Sequence, residues 1–368
     1  MNRTVQVIIL GIVLLIIAAV IGVGLLFLVS GGRPVDFVQK AILQFSLSSR
    51  AADLNRAVST DTTPVRFTVN GGDVPRTIAQ NLLNASLITD AQLFVDYARL
   101  NDLDRQLEAG TYFLKRSQTL AEIAVALTDS RNSSIPFRII EGERIEEIAA
   151  KIDGAQSYFG FTGTDFLGVA GPGAPIDATF ANPMGLPVGA SLEGFLFPDT
   201  YDLPADVTPT MLRDILTQAF VAKVGGQLIG EANSKGLSMY QVVTLASIVQ
   251  REAIHSDEQP LIAGVYLNRL AINKQLEADP TVQYAIGFRE GTWWPQITVD
   301  DYRGVQSPYN TYLNIGLPPG PINSPGLTAI TAAIRPTQSD YYFFRADCRS
   351  DGYHDFARTF DEHLANCG

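Results

Sequence analysis

Hydrophobic positions along this chain fall into three regimes: one unbroken apolar run, a series of short periodic segments, and a polar, loop-rich end. The run covers residues 7–29 and contains only Val, Ile, Leu, Ala, Gly and Phe. At about 1.5 Å per residue it can cross a hydrocarbon core of about 30 Å with some tilt. A cleaved signal peptide is the alternative, because Ser30, Gly31 and Gly32 are small. The apolar stretch of such peptides is normally only about 7–15 residues, which favours a membrane-spanning helix. Arg3 and Arg33 stand on opposite flanks, so charge signals the orientation only weakly. No second run of this kind follows, and the bulk of the chain is expected on one side of the membrane.

Periodicity then alternates between strand and helix. Residues 33–63 read as a stalk, with a short helix at 34–49 and a polar, turn-rich end. Residues 65–82 (VRFTVNGGDVPRTIAQNL) and 135–152 (IPFRIIEGERIEEIAAKI) form a weak repeat. Phe67 matches Phe137, Val69 matches Ile139, Gly72 matches Gly142, and Ile78-Ala79 matches Ile148-Ala149. Each copy predicts a short strand, a glycine turn and a helix. Between them, 110–114 (GTYFL) predicts a strand and 119–127 a helix with Leu120, Ile123, Ala124 and Leu127 on one face. Small strand–helix–helix–strand modules of this size often bind glycan; a purely structural repeat is the other reading. Residues 155–190 are rich in Gly, Pro and Ala and read as a long surface connection.

Helical periodicity returns at 204–225, where Thr208 before Pro209 is an N-cap followed by proline at the first helical position. The next helix is the most strongly marked. Ser238 with Gln241 makes a capping box. Met239, Val242, Val243, Leu245, Ala246, Ile248 and Val249 make the helix apolar over most of its circumference, as expected for a central element. Glu252 lies on that apolar face, below Val249, Ile248 and Leu245. A further helix follows Ser256, with Asp257 and Glu258 at its positive end, and stops near Asn273. From Gln275 onward the chain reads as loops, with strands expected at 341–345 and 354–356.

Composition narrows the function. A formal charge of -11 argues against a nucleic-acid partner and offers no basic surface for anionic lipid. The two cysteines, Cys348 and Cys367, either pin the tail in an oxidising compartment or are unrelated thiols. His255, His354 and His363 lack ligand spacing, so no metal is expected and the histidines read as surface or structural residues. GPGAP at 171–175 lacks the Lys-Ser/Thr of a phosphate loop. No Gly-x-Ser-x-Gly elbow occurs.

A carboxyl held among aliphatic side chains is costly as an anion, so Glu252 is expected to titrate high enough to donate a proton near neutral pH. Its bland alternative is a buried ion pair, for example with Arg269. Asp279, before Pro280 and Thr281, reads as a turn or helix N-cap, with a catalytic or substrate-binding role as the alternative. Glu193 and Asp199 flank an aromatic-rich turn and read as loop support, with a second hydrolytic acid as the alternative. Tyr309, Asn310 and Tyr312 sit in a Pro/Gly-framed loop and suit sugar: aromatic faces to stack and an amide to pair with hydroxyl or acetamido groups.

Several motifs together resemble one family. These are LASIVQREA (245–253), LEGFLFPDTY (192–201), LEADPTVQYA (276–285), SPYNTYLNIGLPPGPINSPG (307–326) and HDFARTFDEH (354–363). Their order is similar to that of the endolytic murein transglycosylases, the YceG-like or MltG proteins. The resemblance implies an α+β protein: a cytoplasmic tip and transmembrane helix (1–32), a juxtamembrane stalk (33–63), a LysM-like module (64–134), and a mixed catalytic domain with a central acid-bearing helix (135–368). It implies a single-pass plasma-membrane enzyme with its catalytic domain outside the cytoplasm. Such an enzyme cuts the MurNAc-β-1,4-GlcNAc bond of nascent peptidoglycan strands without a cofactor, leaves 1,6-anhydroMurNAc ends, and ends elongation beside the penicillin-binding-protein synthases.

The family's essential glutamate falls on Glu252. Many relatives carry a second glutamate two residues earlier, where this chain has Gln250. Two residues on a helix are about 200° apart, so the pair does not share one face; Gln250 is expected to serve substrate or a neighbouring loop. One carboxyl suffices if the sugar's own C6 hydroxyl is the nucleophile: Glu252 protonates the departing oxygen, then accepts the hydroxyl proton. Most glycosidases need two. A non-catalytic peptidoglycan tether for synthases and a water-using muramidase assisted by Glu193 or Asp279 are the alternative readings.

Overall fold

The computed structural model describes residues 22, 34–130 and 133–366. The membrane helix expected at 7–29 lies, except for Gly22, outside the described residues. Among those described, no helix is long and apolar enough to cross a membrane. The chain divides into two compact units, Met1–Ser133 and Ser134–Gly368.

The first unit runs α1 (Pro34–Ser49), α2 (Ala51–Leu54), β1 (Pro64–Val69), α3 (Pro75–Asn84), α4 (Ala91–Leu100), β2 (Gly110–Lys115) and α5 (Leu120–Ala126). β1 and β2 pair antiparallel, with Phe67 opposite Tyr112 and Val65 opposite Leu114. The strands turn Phe67, Val69, Tyr112 and Leu114 inward, against Ile78 and Leu82 of α3 and Leu93 and Phe94 of α4. The order β1–α3–α4–β2 is strand–helix–helix–strand, whereas the segments expected from the sequence supply only one helix, α3, between the two strands. Its second helix, α4, had a local signal that the reading passed over: Asp90 caps it by accepting from the Leu93 N–H at 2.9 Å.

The second unit contains β3 (Ser134–Arg138), α6 (Ile145–Gly154), α7 (Gly163–Ala170), α8 (Ala178–Met184), β4 (Thr200–Pro204), α9 (Pro209–Ser234), α10 (Met239–Glu252), α11 (Gln259–Ala271), α12 (Asp279–Ile286), α13 (Val299–Gly304), α14 (Leu327–Ile334), β5 (Phe343–Ala346), β6 (His354–Ala357) and α15 (Phe360–Ala365). The repeat holds in three dimensions. β1 and β3 each lead through a glycine in the left-handed region, Gly72 at φ 91° and Gly142 at φ 85°, into α3 and α6. Among the described residues of this unit the strands pair only in twos: β3 with β4 and β5 with β6, both antiparallel. The architecture is thus mixed α+β with helices dominant.

α10 is the centre of this unit. Met239, Val242, Val243, Leu245, Ala246, Ile248 and Val249 are all buried, and the helix packs on α9, α11 and α14. The Ser238–Gln241 capping box is present, as is the Thr208 cap of α9. α9 continues past its expected end through a kink at Gly225 (φ 71°, ψ 157°).

Two expectations need correction. The supposed surface connection at 155–190 folds into α7 and α8, started by a Thr162–Asp165 capping box and by Asp177. Helices of eight and seven residues are too short for a 3.6-residue period to stand out from Gly, Pro and Ala. The stretch after Gln275 likewise holds α12, α13 and α14. α14 (LTAITAAI) is apolar nearly all round and buried, so it carries no amphipathic signal. Cys348 is disulfide-bonded; the chain's other cysteine, Cys367, lies outside the described residues.

Candidate active site

Glu252 is the last residue of α10, and contacts made by Gln250, Arg251 and Ser247 fix that end of the helix. Gln250 Oε1 accepts from the Gly326 N–H at 2.9 Å. The Arg251 guanidinium stacks 4.0 Å from the Trp294 ring, whose Nε1 donates to Glu147 of α6 at 3.0 Å. One turn earlier, Ser247 Oγ accepts from the Ile322 N–H at 3.0 Å, and the Asn323 amide donates to the Ser247 carbonyl at 2.7 Å. The INSPG segment is thereby laced along α10. Gln250 accordingly serves a neighbouring loop and does not line the Glu252 cavity.

Glu252 opens into a cavity of about 260 Å³ lined also by Tyr266, Arg269, Leu276, Glu277, Asp279, Tyr312, Phe344, Arg345, Ala346 and His354. Tyr266 of α11, fully buried, donates its phenol proton to Glu252 Oε1 at 2.6 Å. Oε2 therefore remains for the cavity. Burial pushes the Glu252 carboxyl up to about 7, and the charge of Asp279 adds to the rise; the Tyr266 hydrogen bond, Arg269 and Arg251 oppose it. The position of Glu252 at the negative end of α10 acts in the same direction as burial. Arg269 is not its ion-pair partner: that guanidinium binds Glu277 Oε2 at 2.8 Å and the carbonyls of Leu276 and Tyr342.

Asp279 lies at the first residue of α12, not at its cap, which is Ala278. Its carboxylate faces the cavity and accepts from two phenols, Tyr312 at 2.6 Å and Tyr302 at 3.4 Å. The cavity thus holds one carboxyl pushed toward neutrality and a second that accepts from two phenols. A buried, perturbed carboxyl in a cleft is the pattern of a candidate acid–base site.

The Tyr309–Tyr312 loop divides in two. Tyr312 reaches the cavity. Tyr309 packs against Tyr284 with ring centroids 4.8 Å apart and is not part of the cavity wall. Asn310, expected to meet sugar, is fully buried. Its amide donates to the Tyr302 and Val305 carbonyls and accepts from the Tyr312 N–H at 2.9 Å. It shapes the loop that presents Tyr312, because a buried amide must satisfy its donors locally.

The two other acids read as loop support do that work. Glu193 is buried and accepts the Ile145 N–H, at the start of α6, on both oxygens. Burial, with the charge of Glu146, raises its carboxyl to about 8. Asp199 pairs with Lys223 at 2.7 Å.

Sequence reasoning missed Tyr266 and His354. Tyr266 is one apolar position among many on α11, and a hydroxyl at its tip has no periodic signature. His354, read as surface or structural, lines the cavity with its Nδ1 2.9 Å from Glu258 Oε2. Its only sequence cue was the segment 354–363. Among the described residues, no three His, Cys, Asp or Glu side chains are grouped to hold a metal ion.

Comparison with known proteins gives one consistent result. The sequence model of the YceG-like family matches residues 67–368. An endolytic murein transglycosylase of Bacillus subtilis is 29% identical over 312 residues, 82% of this chain and 83% of that protein. An endolytic murein transglycosylase of Streptococcus pneumoniae is 30% identical over 308 residues, 78% of this chain and 55% of that protein; the match spans about half of that relative's length. The crystal structure of a yceG-like protein from Listeria monocytogenes superposes with a TM-score of 0.55 at 28% identity, covering 82% of this chain and 98% of that one.

Proposed function

The chain belongs to the YceG-like family, and on that premise we propose that it is an endolytic peptidoglycan lytic transglycosylase with Glu252 as its acid. The observation that carries this reading is the cavity carboxyl of Glu252, raised to about 7. At neutral pH a large fraction is protonated and can protonate the oxygen leaving the anomeric carbon. The bond is the MurNAc-β-1,4-GlcNAc link of nascent strands. The departing strand is replaced at C1 by the substrate's own C6 hydroxyl, giving a 1,6-anhydroMurNAc end. Asp279, an acceptor held by two phenols, faces the positive charge that develops at C1. Tyr312 and Asp279 contact the sugar; Gln250 and Asn310 act through the loops they hold, and Tyr309 supports the wall behind. No cofactor enters the scheme.

The proposal extends to the rest of the chain. Residues 7–29 anchor it as a single-pass protein of the bacterial plasma membrane. The unit ahead of the catalytic one, with its β1–α3–α4–β2 order, is LysM-like and binds glycan. Placed outside the cytoplasm beside penicillin-binding-protein synthases, the enzyme terminates strands as they emerge.

A second reading, a water-using muramidase, is favoured by one observation: Asp279 is a second carboxylate in the same cavity, as a hydrolase requires. The test of the main reading is the length distribution of uncrosslinked glycan strands after exposure to the full chain and to Glu252→Gln. Internal cutting shortens all strands early in the digest, and the variant leaves them intact. Release of single disaccharides from strand ends, or full activity in Glu252→Gln, contradicts it.

A further inference from the structure

The acceptors of protons that line the Glu252 cavity are Glu252, Glu277, Asp279 and His354, and three of them are already engaged. Glu252 takes the Tyr266 phenol proton on Oε1. Glu277 is bound by Arg269. Asp279 takes a phenol on each oxygen. His354 differs. Its backbone N–H donates to Glu258 Oε1 at 3.0 Å, and its Nδ1 lies 2.9 Å from Glu258 Oε2. Glu258 is itself buried, at 8% exposure, and stands at the N-cap of α11, where a negative charge is favoured. The ring packs edge-on against Phe344, centroids 5.4 Å apart. Where the Glu258 carboxylate accepts from Nδ1, the neutral form of this imidazole leaves its lone pair on Nε2. Nε2 has no protein partner among the described residues, and the ring forms part of the cavity wall.

We infer that His354 is the base that receives the proton of the attacking sugar hydroxyl, with Glu258 as its positioning residue. The inference rests on the lytic reading above and reassigns one proton, which a single-acid scheme returns to Glu252. The C6 oxygen forms its bond to C1 as its proton passes to His354 Nε2. The C1–oxygen bond to the departing strand breaks with its electron pair on that oxygen, which takes the proton of Glu252. The step ends with a Glu252 carboxylate and a His354 imidazolium; return of one proton from His354 to Glu252 resets both groups. A nucleophile, base and orienting acid in series is the general form of an activated hydroxyl. The dyad also separates the two transfers in space: α10 supplies the acid and β6 the base.

The test uses the full chain and two variants. His354→Asn keeps an amide nitrogen close to the position of Nδ1, so the Glu258 contact survives, but removes Nε2. His354→Ala empties the position for added imidazole. Expected for His354→Asn are an unchanged melting temperature, an unchanged KM and a turnover lowered by about 100-fold. Its residual products carry more reducing ends, because water competes once the sugar hydroxyl loses its base. His354→Ala is equally slow and regains rate with imidazole. Wild-type turnover in both variants, with Glu252→Gln inactive, overturns the inference and leaves the lyase reading standing. Slow variants that imidazole does not speed and whose products remain fully anhydro-ended also overturn it. Wild-type turnover in Glu252→Gln overturns the reading of Glu252 and this inference with it.

Discussion

Glu252→Gln should remove the proposed acid and at the same time stabilise the second unit above neutral pH. The folded-state carboxyl titrates near 7 against an ordinary 4.5. Between those values the native state holds a proton that the unfolded chain has released, so unfolding free energy falls as pH rises through this window. Stability is therefore intact below about pH 4.5, declines up to about pH 7, and is flat beyond it. At about 1.36 kcal/mol per tenfold change in proton affinity, the full loss is ~3 kcal/mol, or ~2 allowing for solvent at the cavity mouth. Glutamine never ionises and keeps a carbonyl oxygen for the Tyr266 phenol, so it escapes the loss without opening a void. The chain's two tryptophans, Trp293 and Trp294, both lie in the second unit, so their fluorescence follows its unfolding in urea. The variant's midpoint should match wild type near pH 4.5 and exceed it by about 1 M urea at pH 8. A difference between the two proteins that is the same at every pH would refute the reasoning, because it would mean that Glu252 is not a titrating, desolvated carboxyl.

Tyr266→Phe deletes the one hydrogen bond that pulls Glu252 down; the alkaline limb of the pH–rate profile should move to higher pH, and an unmoved limb would sever Tyr266 from the acid. Glu193→Gln should raise stability above pH 8, since its carboxyl is held near 8 by burial, while cleavage stays within about twofold because Glu193 is off the cavity; a lost activity at normal stability would reverse that assignment. Asn310→Ala strips buried loop hydrogen bonds and should cost about 2 kcal/mol, or about 6 °C in Tm for a unit of this size, with KM unchanged. A normal Tm with weakened strand binding would return Asn310 to the sugar.

What the sequence disclosed, and what it hid, follows from the physics of each signal. α10 was legible because an apolar circumference and a Ser238–Gln241 box are local features, and Glu252 stood out as the lone acid on an apolar face. The paired turns at Gly72 and Gly142 were legible for the same reason. α7, α8 and α14 were not: the first two are too short for a period, and the third is almost wholly apolar, with its last six residues mostly buried. The cavity itself could not be read, because its wall is assembled from α10, α11, α12 and the β5–β6 hairpin. Asp279 looked like a cap because capping is judged from neighbours in sequence; its actual partners, Tyr302 and Tyr312, lie 23 and 33 residues away. His354 needed Glu258, 96 residues earlier, before it could be more than one of three scattered histidines.

In the proposed reaction the glycosidic bond is exchanged within the substrate and not with water. Mass spectrometry of uncrosslinked glycan strands cut by the full chain in 18O-labelled water tests it directly. The account predicts 1,6-anhydro ends free of label from the wild type, and uncut strands from Glu252→Gln. Reducing ends that carry the label would contradict it and identify a muramidase working through Glu252 and Asp279.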